Sequence, residues 1–370
     1  MSSPVQQKIL VLRYRFIGDT ILTVPFLRNL RHARPEAWIT WVVAPGSAEV
    51  VKGIPYVDEL LYWDPVTIHA DSRGTHKTLK SRLDFVRELR RRKFDTVYVL
   101  KRSFSSAVMA LLSGARRRIG FNTEGRGFLL TKRVPYQLDC HEVINFLDVL
   151  RADGIKPADD HLEAWIEPAE DCEARLLMGS GRDFLAIHPF ASSGVKSWPL
   201  ERFAAVAHAA KELYGLTAVV LGGARDLELA RAVSGLFPEG TLNLAGACSL
   251  RVTMAVLARS VAFVGNDSGV MHLAAAAGIP LVAVFGPTSP VRFGPWGVNS
   301  RIVYSGFPCS PCRQRPFTEC EPSLSGRPRC IDEISESAVI DALTLLLSKR
   351  VPEELTPDKQ DKRILTEAGV

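Results

Sequence analysis

No stretch of this 370-residue chain reaches the ~18 uninterrupted apolar residues of a membrane span. The nearest candidate, Val270 to Phe285, is broken by His272, Gly278 and Pro280. No G-x-G-x-x-G follows a strand-like run, and G-x-x-x-x-G-K-[ST] does not occur, so dinucleotide-binding and P-loop readings lack their fingerprints. A secretory leader is not visible either, because the apolar run Ile9 to Leu12 is short and is cut by Arg13 and Arg15. The chain is expected to stay in the cytosol, with any membrane contact peripheral. Seven cysteines, an odd count, then argue against a disulfide scaffold. No fixed-period repeat is present. Hydrophobic residues at 46% and charged residues at 23% set aside the disordered, collagenous and coiled-coil classes. The length suits two domains, with ample apolar material for two cores.

The charge is unevenly spread. Residues 71–94 hold nine Lys/Arg against three Asp/Glu, and residues 101–133 hold eight against one, in a chain whose net charge is only +6. The front half is therefore basic and the remainder slightly acidic, which points one domain towards an anionic partner and leaves the other a different task.

Short β-type runs at Lys8–Arg13, Trp38–Val43, Glu59–Tyr62 and Thr96–Leu100 alternate with amphipathic stretches such as Ile21–Leu30 and Leu83–Arg92. The back half repeats the rhythm with Phe184–His188, Thr217–Leu221, Thr241–Leu244, Val261–Val264 and Leu281–Phe285. The pattern predicts an α/β protein of two Rossmann-like, doubly wound domains facing a cleft. The front domain is assigned to residues 1–165, the back domain to 166–349 and a polar tail to 350–370, with the join among Gly154, Pro157 and Pro168. Ligands of such folds sit at the carboxyl ends of the strands.

Three strand-to-helix loops could carry chemistry. Asp19, in Ile17-Gly-Asp-Thr20, reads both as a helix cap and as a general base able to take a proton from a sugar hydroxyl. Ala191-Ser-Ser-Gly-Val-Lys196 offers hydroxyls, backbone N–H groups and one ammonium to a phosphate, although a plain surface loop would look similar. The third is Gly265-Asn-Asp-Ser-Gly-Val-Met-His272. There Asp267 or Ser268 caps a helix, Gly269 lets the backbone approach a ligand, and the free N–H groups attract an anion. His272, one turn inside, is either a ligand contact or a buried core histidine. Asp226, after the strand ending at Leu221, suits a ribose hydroxyl or a helix cap equally. Cys309-x2-Cys312-x7-Cys320-x9-Cys330 has the outline of a four-cysteine knuckle for zinc or iron, with an uneven second spacing and packed reduced thiols as the alternative.

Taken in order, these residues resemble the family-nine glycosyltransferases that include the lipopolysaccharide heptosyltransferases, and the pattern is most like the heptosyltransferase II branch. The carriers are Ile17–Thr20 with Pro25, Arg118-Ile-Gly-Phe121 with Glu124-Gly-Arg126, Leu129-Leu-Thr131, Lys196-Ser-Trp-Pro199, and Asn266–Gly269 with His272. The resemblance implies a glycosyltransferase-B fold and an inverting single displacement without a catalytic metal or other cofactor. The acceptor, an anionic lipopolysaccharide core, would lie on the front domain at the inner leaflet of the membrane, and an ADP-sugar on the back domain. Asp19 would be the base; Ser192, Ser193, Lys196, Asp267, Ser268, Gly269 and His272 would hold the diphosphate; Asp226 would meet the ribose. Arg126 and Arg118 would contact acceptor phosphates. No nucleic acid is expected. A nucleic-acid-binding scaffold with a metal knuckle, the rival from another class, leaves Lys196 and Asp267–His272 without a task.

Overall fold

The computed structural model describes residues 6–65, 75–179, 181, 183–312 and 320–348. The tail at 350–370 and residues 71–74 of the first basic stretch lie outside them. The front lobe is a six-stranded parallel sheet: β1 Lys8–Leu12, β2 Trp38–Val43, β3 Glu59–Tyr62, β4 Thr96–Val99, β5 Arg117–Phe121 and β6 Lys132–Val134. Its order is β3-β2-β1-β4-β5-β6. The back lobe is a second one, built from β7 Phe184–His188, β8 Thr217–Val220, β9 Leu242–Asn243, β10 Ala262–Asn266, β11 Leu281–Phe285 and β12 Ser300–Tyr304. It runs β12-β11-β10-β7-β8-β9, which is the same order counted from its own first strand. Helices cover both faces of each sheet, so the central strands β4, β7, β10 and β11 are buried at every position.

This doubly wound order has one place per sheet where successive connections leave in opposite directions. In the front sheet it lies between β1 and β4, paired Leu12 to Val99. In the back sheet it lies between β7 and β10, paired His188 to Gly265. The stretch expected as one helix, Ile21–Leu30, belongs to two, Ile17–Leu22 and Val24–Ala33, which break at Thr23 just before Pro25. Strands β5, β6 and β12 are additional to the sequence expectation.

The lobes are tied together. Residues following the helix Glu142–Ala152 return over the front lobe, where buried Arg28 bonds Glu163 at 2.6 Å and also pairs with Asp159. Arg292 of the back lobe pairs with Glu142 of the front at 2.6 Å. Arg251 donates to the Lys52 carbonyl at 2.8 Å. The His141 ring stacks on Trp296 at 4.4 Å, and its Nε2 lies 3.0 Å from the Gly294 carbonyl oxygen.

Candidate active site

The two switch points face each other across the cleft. The helices that touch there are Ile17–Leu22, after β1, and Gly269–Ala276, after β10. Each brings a glycine to the contact. A Cβ on Gly18 would stand 2.5 Å from His272 Cδ2, and one on Gly269 would stand 2.9 Å from the Ile17 Cβ. Only residues without a Cβ allow this approach.

Asp19 is not the cap residue of its helix. It occupies the third helical position, and Oδ2 accepts from the N–H of Phe16 at 3.0 Å. Its other oxygen pairs with the guanidinium of buried Arg13. Arg13 in turn lies 5.4 Å over the Phe146 ring. The carboxylate is thus oriented by two donors while its side chain keeps 13% exposure. Arg15, between them in sequence, takes a φ of 83°, uncommon for a residue with a Cβ.

Across the cleft, the ammonium of Lys196 bonds Asp267 Oδ2 at 2.7 Å, and the Thr288 hydroxyl donates to the same oxygen at 2.6 Å. Ser268, not Asp267, caps the helix Gly269–Ala276, accepting from the Met271 N–H at 3.4 Å. Its hydroxyl also meets His188 Nδ1 at 3.2 Å. Asn266, fully buried, ties the two loops of the switch point: its amide donates to the Pro189 carbonyl at 2.8 Å and accepts from the Trp198 N–H at 3.0 Å. Ser192 is exposed and Ser193 half-buried in the loop this clamp positions.

His272 is buried, and its Nδ1 has no hydrogen-bond partner among the described residues. Burial pushes its pKa down, partly opposed by the charges of Asp267 and Asp19, so the ring is held neutral. His188, which sequence reasoning left as a strand end, is pushed down by burial to about 4. A lone histidine closing a strand carries no pattern that would single it out. Asp226 reaches back to the Gly223 N–H at 2.8 Å and is half-buried, which raises its pKa. One of its oxygens remains for a ligand.

The two arginines expected to contact the acceptor bond backbone carbonyls of the front lobe. Arg126 is 0% exposed; its Nε and Nη1 donate to the Phe121, Lys101 and Ser103 carbonyls and the Ser106 hydroxyl, while its buried Nη2 has no partner among the described residues. Arg118 lies at the amino end of β5, away from the cleft edge, bonding the Leu129 and Ala115 carbonyls. In the cysteine loop, Cys309, Cys320 and Cys330 keep free thiols around one cavity. Burial, with the neighbouring thiols adding, pushes Cys330 up to about 12. Among the described residues no three His, Cys, Asp or Glu side chains are grouped to hold a metal ion, so the knuckle suggested by the spacing is not assembled there.

Two doubly wound lobes with opposed switch points, an oriented carboxylate on one side and a lysine beside a helix N-terminus on the other, describe a two-substrate group-transfer enzyme. Residues 82–321 match glycosyltransferase family 9 (heptosyltransferase), and the chain belongs to that family. Lipopolysaccharide heptosyltransferase 2 of Escherichia coli is 29% identical over 315 residues, spanning 80% of this chain and 87% of that protein. The crystal structure of a family 9 glycosyl transferase from Veillonella parvula superposes with a TM-score of 0.78 at 26% identity, over 94% of this chain and 100% of that one. The E. coli ADP-heptose lps heptosyltransferase II structure gives 0.72 at 24% identity, over 93% and 99%, a likeness of fold.

Proposed function

We propose that this glycosyltransferase moves heptose from ADP-L-glycero-D-manno-heptose to the inner core of lipopolysaccharide, with inversion at the sugar carbon. The observation that carries the reading is the pairing of Asp19 at one switch point with Lys196 and the Gly269–Ala276 helix at the other. The acceptor hydroxyl oxygen attacks the anomeric carbon as the bond from that carbon to the diphosphate oxygen breaks. The hydroxyl proton passes to Asp19, and the electron pair of the broken bond leaves with ADP.

The growing negative charge on the diphosphate falls beside the Lys196 ammonium and the helix N–H groups, which stabilise it where it develops. Asp267 acts through Lys196. A carboxylate beside a diphosphate repels it, but one that holds the ammonium in place preorganises the site. Ser192, Ser193, Ser268 and the backbone at Gly269 supply further donors, the buried Nδ1 of His272 has no partner among the described residues, and Asp226 accepts from the ribose.

The membrane side of the proposal rests on the front lobe. Phe104 and Phe128 are 47% and 68% exposed with ring centroids 6.3 Å apart. Arg133 sits beside them, bonding the Gly127 carbonyl at 3.0 Å. Aromatic rings flanked by basic residues suit peripheral binding at an anionic inner leaflet. No described helix is long and apolar enough to cross a membrane.

The test is transfer from ADP-heptose to lipopolysaccharide lacking outer core sugars, run beside a thermal-shift panel of ADP, UDP and GDP. Ligand at 100 times its Kd adds about 2.7 kcal/mol of stability, so selective stabilisation by ADP is expected. Stabilisation by UDP or GDP alone, with no heptose transferred, would contradict the donor assignment.

A further inference from the structure

Lys101 follows β4 at the front switch point, on the opposite side from Asp19. Its backbone is fixed from both directions: the N–H donates to the carbonyl of Leu12, the last residue of β1, at 3.1 Å. Its own carbonyl accepts from Arg126 and, at 2.8 Å, from the Ser106 hydroxyl. Buried Arg126 thereby helps to position Lys101. The ammonium lies 6.0 Å from the Phe16 ring centroid, half-buried, and donates to no acceptor among the described residues.

Its surroundings are cationic. The charges acting on it are Arg13, Arg15 and Asp19 from the loop and helix after β1, and Arg102 from its own loop. The one carboxylate, Asp19, is already paired to Arg13. Arg102 lies over the Tyr136 ring at 4.1 Å and forms no ion pair among the described residues. Arg15 likewise has no carboxylate partner there. Lys196 and Arg292, half-buried cations elsewhere in the molecule, both have one. Half-buried cations crowded around a single occupied carboxylate are unfavourable unless an anion joins them.

We propose that Lys101, with Arg102 and Arg15, forms an anion subsite at the front switch point that receives a carboxylate or phosphate of the acceptor beside the hydroxyl that Asp19 deprotonates. The subsite rests on the acceptor reading given above and assigns it a chemical class: an acceptor sugar with a negatively charged group next to the attacking oxygen. Arg126 is a positioning residue for it.

The experiment is a kinetic cycle between Lys101→Met and the acceptor charge. Three synthetic heptoside acceptors would be compared, one bearing a neighbouring carboxylate, one its methyl ester and one a phosphate monoester in its place. For the charged acceptor that fits, K101M should raise the acceptor KM about ten- to a hundredfold, the range of a charged hydrogen bond, with the ADP-heptose KM within twofold. Esterification should cost the wild-type enzyme a similar factor and cost K101M little more, because both changes remove the same interaction. The carboxylate and phosphate arms decide which anion is bound. Lys101→Arg should restore most of the loss.

The pH profile is a second readout. Burial, then the charge of Arg13, lowers the Lys101 ammonium to about 8, with Asp19 opposing and Arg15 and Arg102 adding to the fall. The charge is present below that value and lost above it, so wild-type acceptor KM should climb between pH 7 and pH 9.5, roughly the span around this transition, while K101R stays flat. Equal losses with charged and esterified acceptors in K101M, or a rise in the donor KM instead, would overturn the subsite alone. Wild-type enzyme that transfers heptose to none of the three would overturn the acceptor reading and the subsite with it.

Discussion

The two lobes share one strand order and use it for opposite electrostatic ends. At the back switch point Lys196 is held by Asp267, and the remaining attraction for an anion comes from the helix N-terminus capped by Ser268. At the front switch point one carboxylate, Asp19, stands among Arg13, Arg15, Lys101 and Arg102. On the proposed mechanism the back lobe takes up negative charge as a leaving group departs, and the front lobe holds a charged partner while a carboxylate accepts a proton. A common topology thus fixes where the chemistry occurs, and a few side chains on four loops decide what it is.

The sharpest way to break this comparison is at Asp19. Asp19→Asn keeps an oxygen to accept from the Phe16 N–H but removes the base, so kcat should fall by about three orders of magnitude. Arg13 loses its charged partner in the same variant, so melting temperature should be followed alongside to separate lost chemistry from lost structure. Turnover near that of the wild type would remove Asp19 from the reaction. The contact between the lobes comes next. Gly18→Ala drives a methyl into His272, which must shift or part the two helices, and a misplacement of this kind should lower kcat/KM by about a hundredfold. An unaffected enzyme would mean that this contact between the lobes is not part of the working arrangement. The smallest effect concerns the front lobe's outer surface. The double variant Phe104→Ser/Phe128→Ser should weaken sedimentation with anionic vesicles about tenfold, roughly 1.4 kcal/mol, without altering turnover on a water-soluble acceptor. Unchanged sedimentation would move the membrane contact elsewhere.

How much of this was legible beforehand follows from what kind of residue carried each feature. The apolar strands were readable because central strands of a parallel sheet are covered on both faces, as Leu281–Phe285 is. Strands β5 and β6 were not, since Arg117, Arg118, Lys132 and Arg133 give them the look of solvated chain. The helix break at Thr23 was obscured by the continuous apolar pattern across Ile21–Leu30. In the site, Asp19, Lys196 and Ser268 announced themselves through strand-to-helix loops. The burial of Arg126 was not legible, because a charged residue in a basic stretch reads as surface, whereas its Nε and Nη1 bond four oxygens in the interior. Lys101 was hidden for the converse reason: one lysine among many basic residues becomes distinctive only when its neighbours are seen to be cations without partners. The contact of Gly18 with His272 depends on how the lobes meet, which no local pattern records.

The central claim, a division of labour between the two switch points, is tested most directly by titrating ADP into wild-type protein, Asp19→Asn and Lys196→Ala under one set of conditions. Lys196→Ala should weaken ADP binding by about 1.5 to 3 kcal/mol, the range for hydrogen bonds to charged groups, while Asp19→Asn binds within a few-fold of wild type. Equal losses in both variants, or a loss confined to Asp19→Asn, would contradict it.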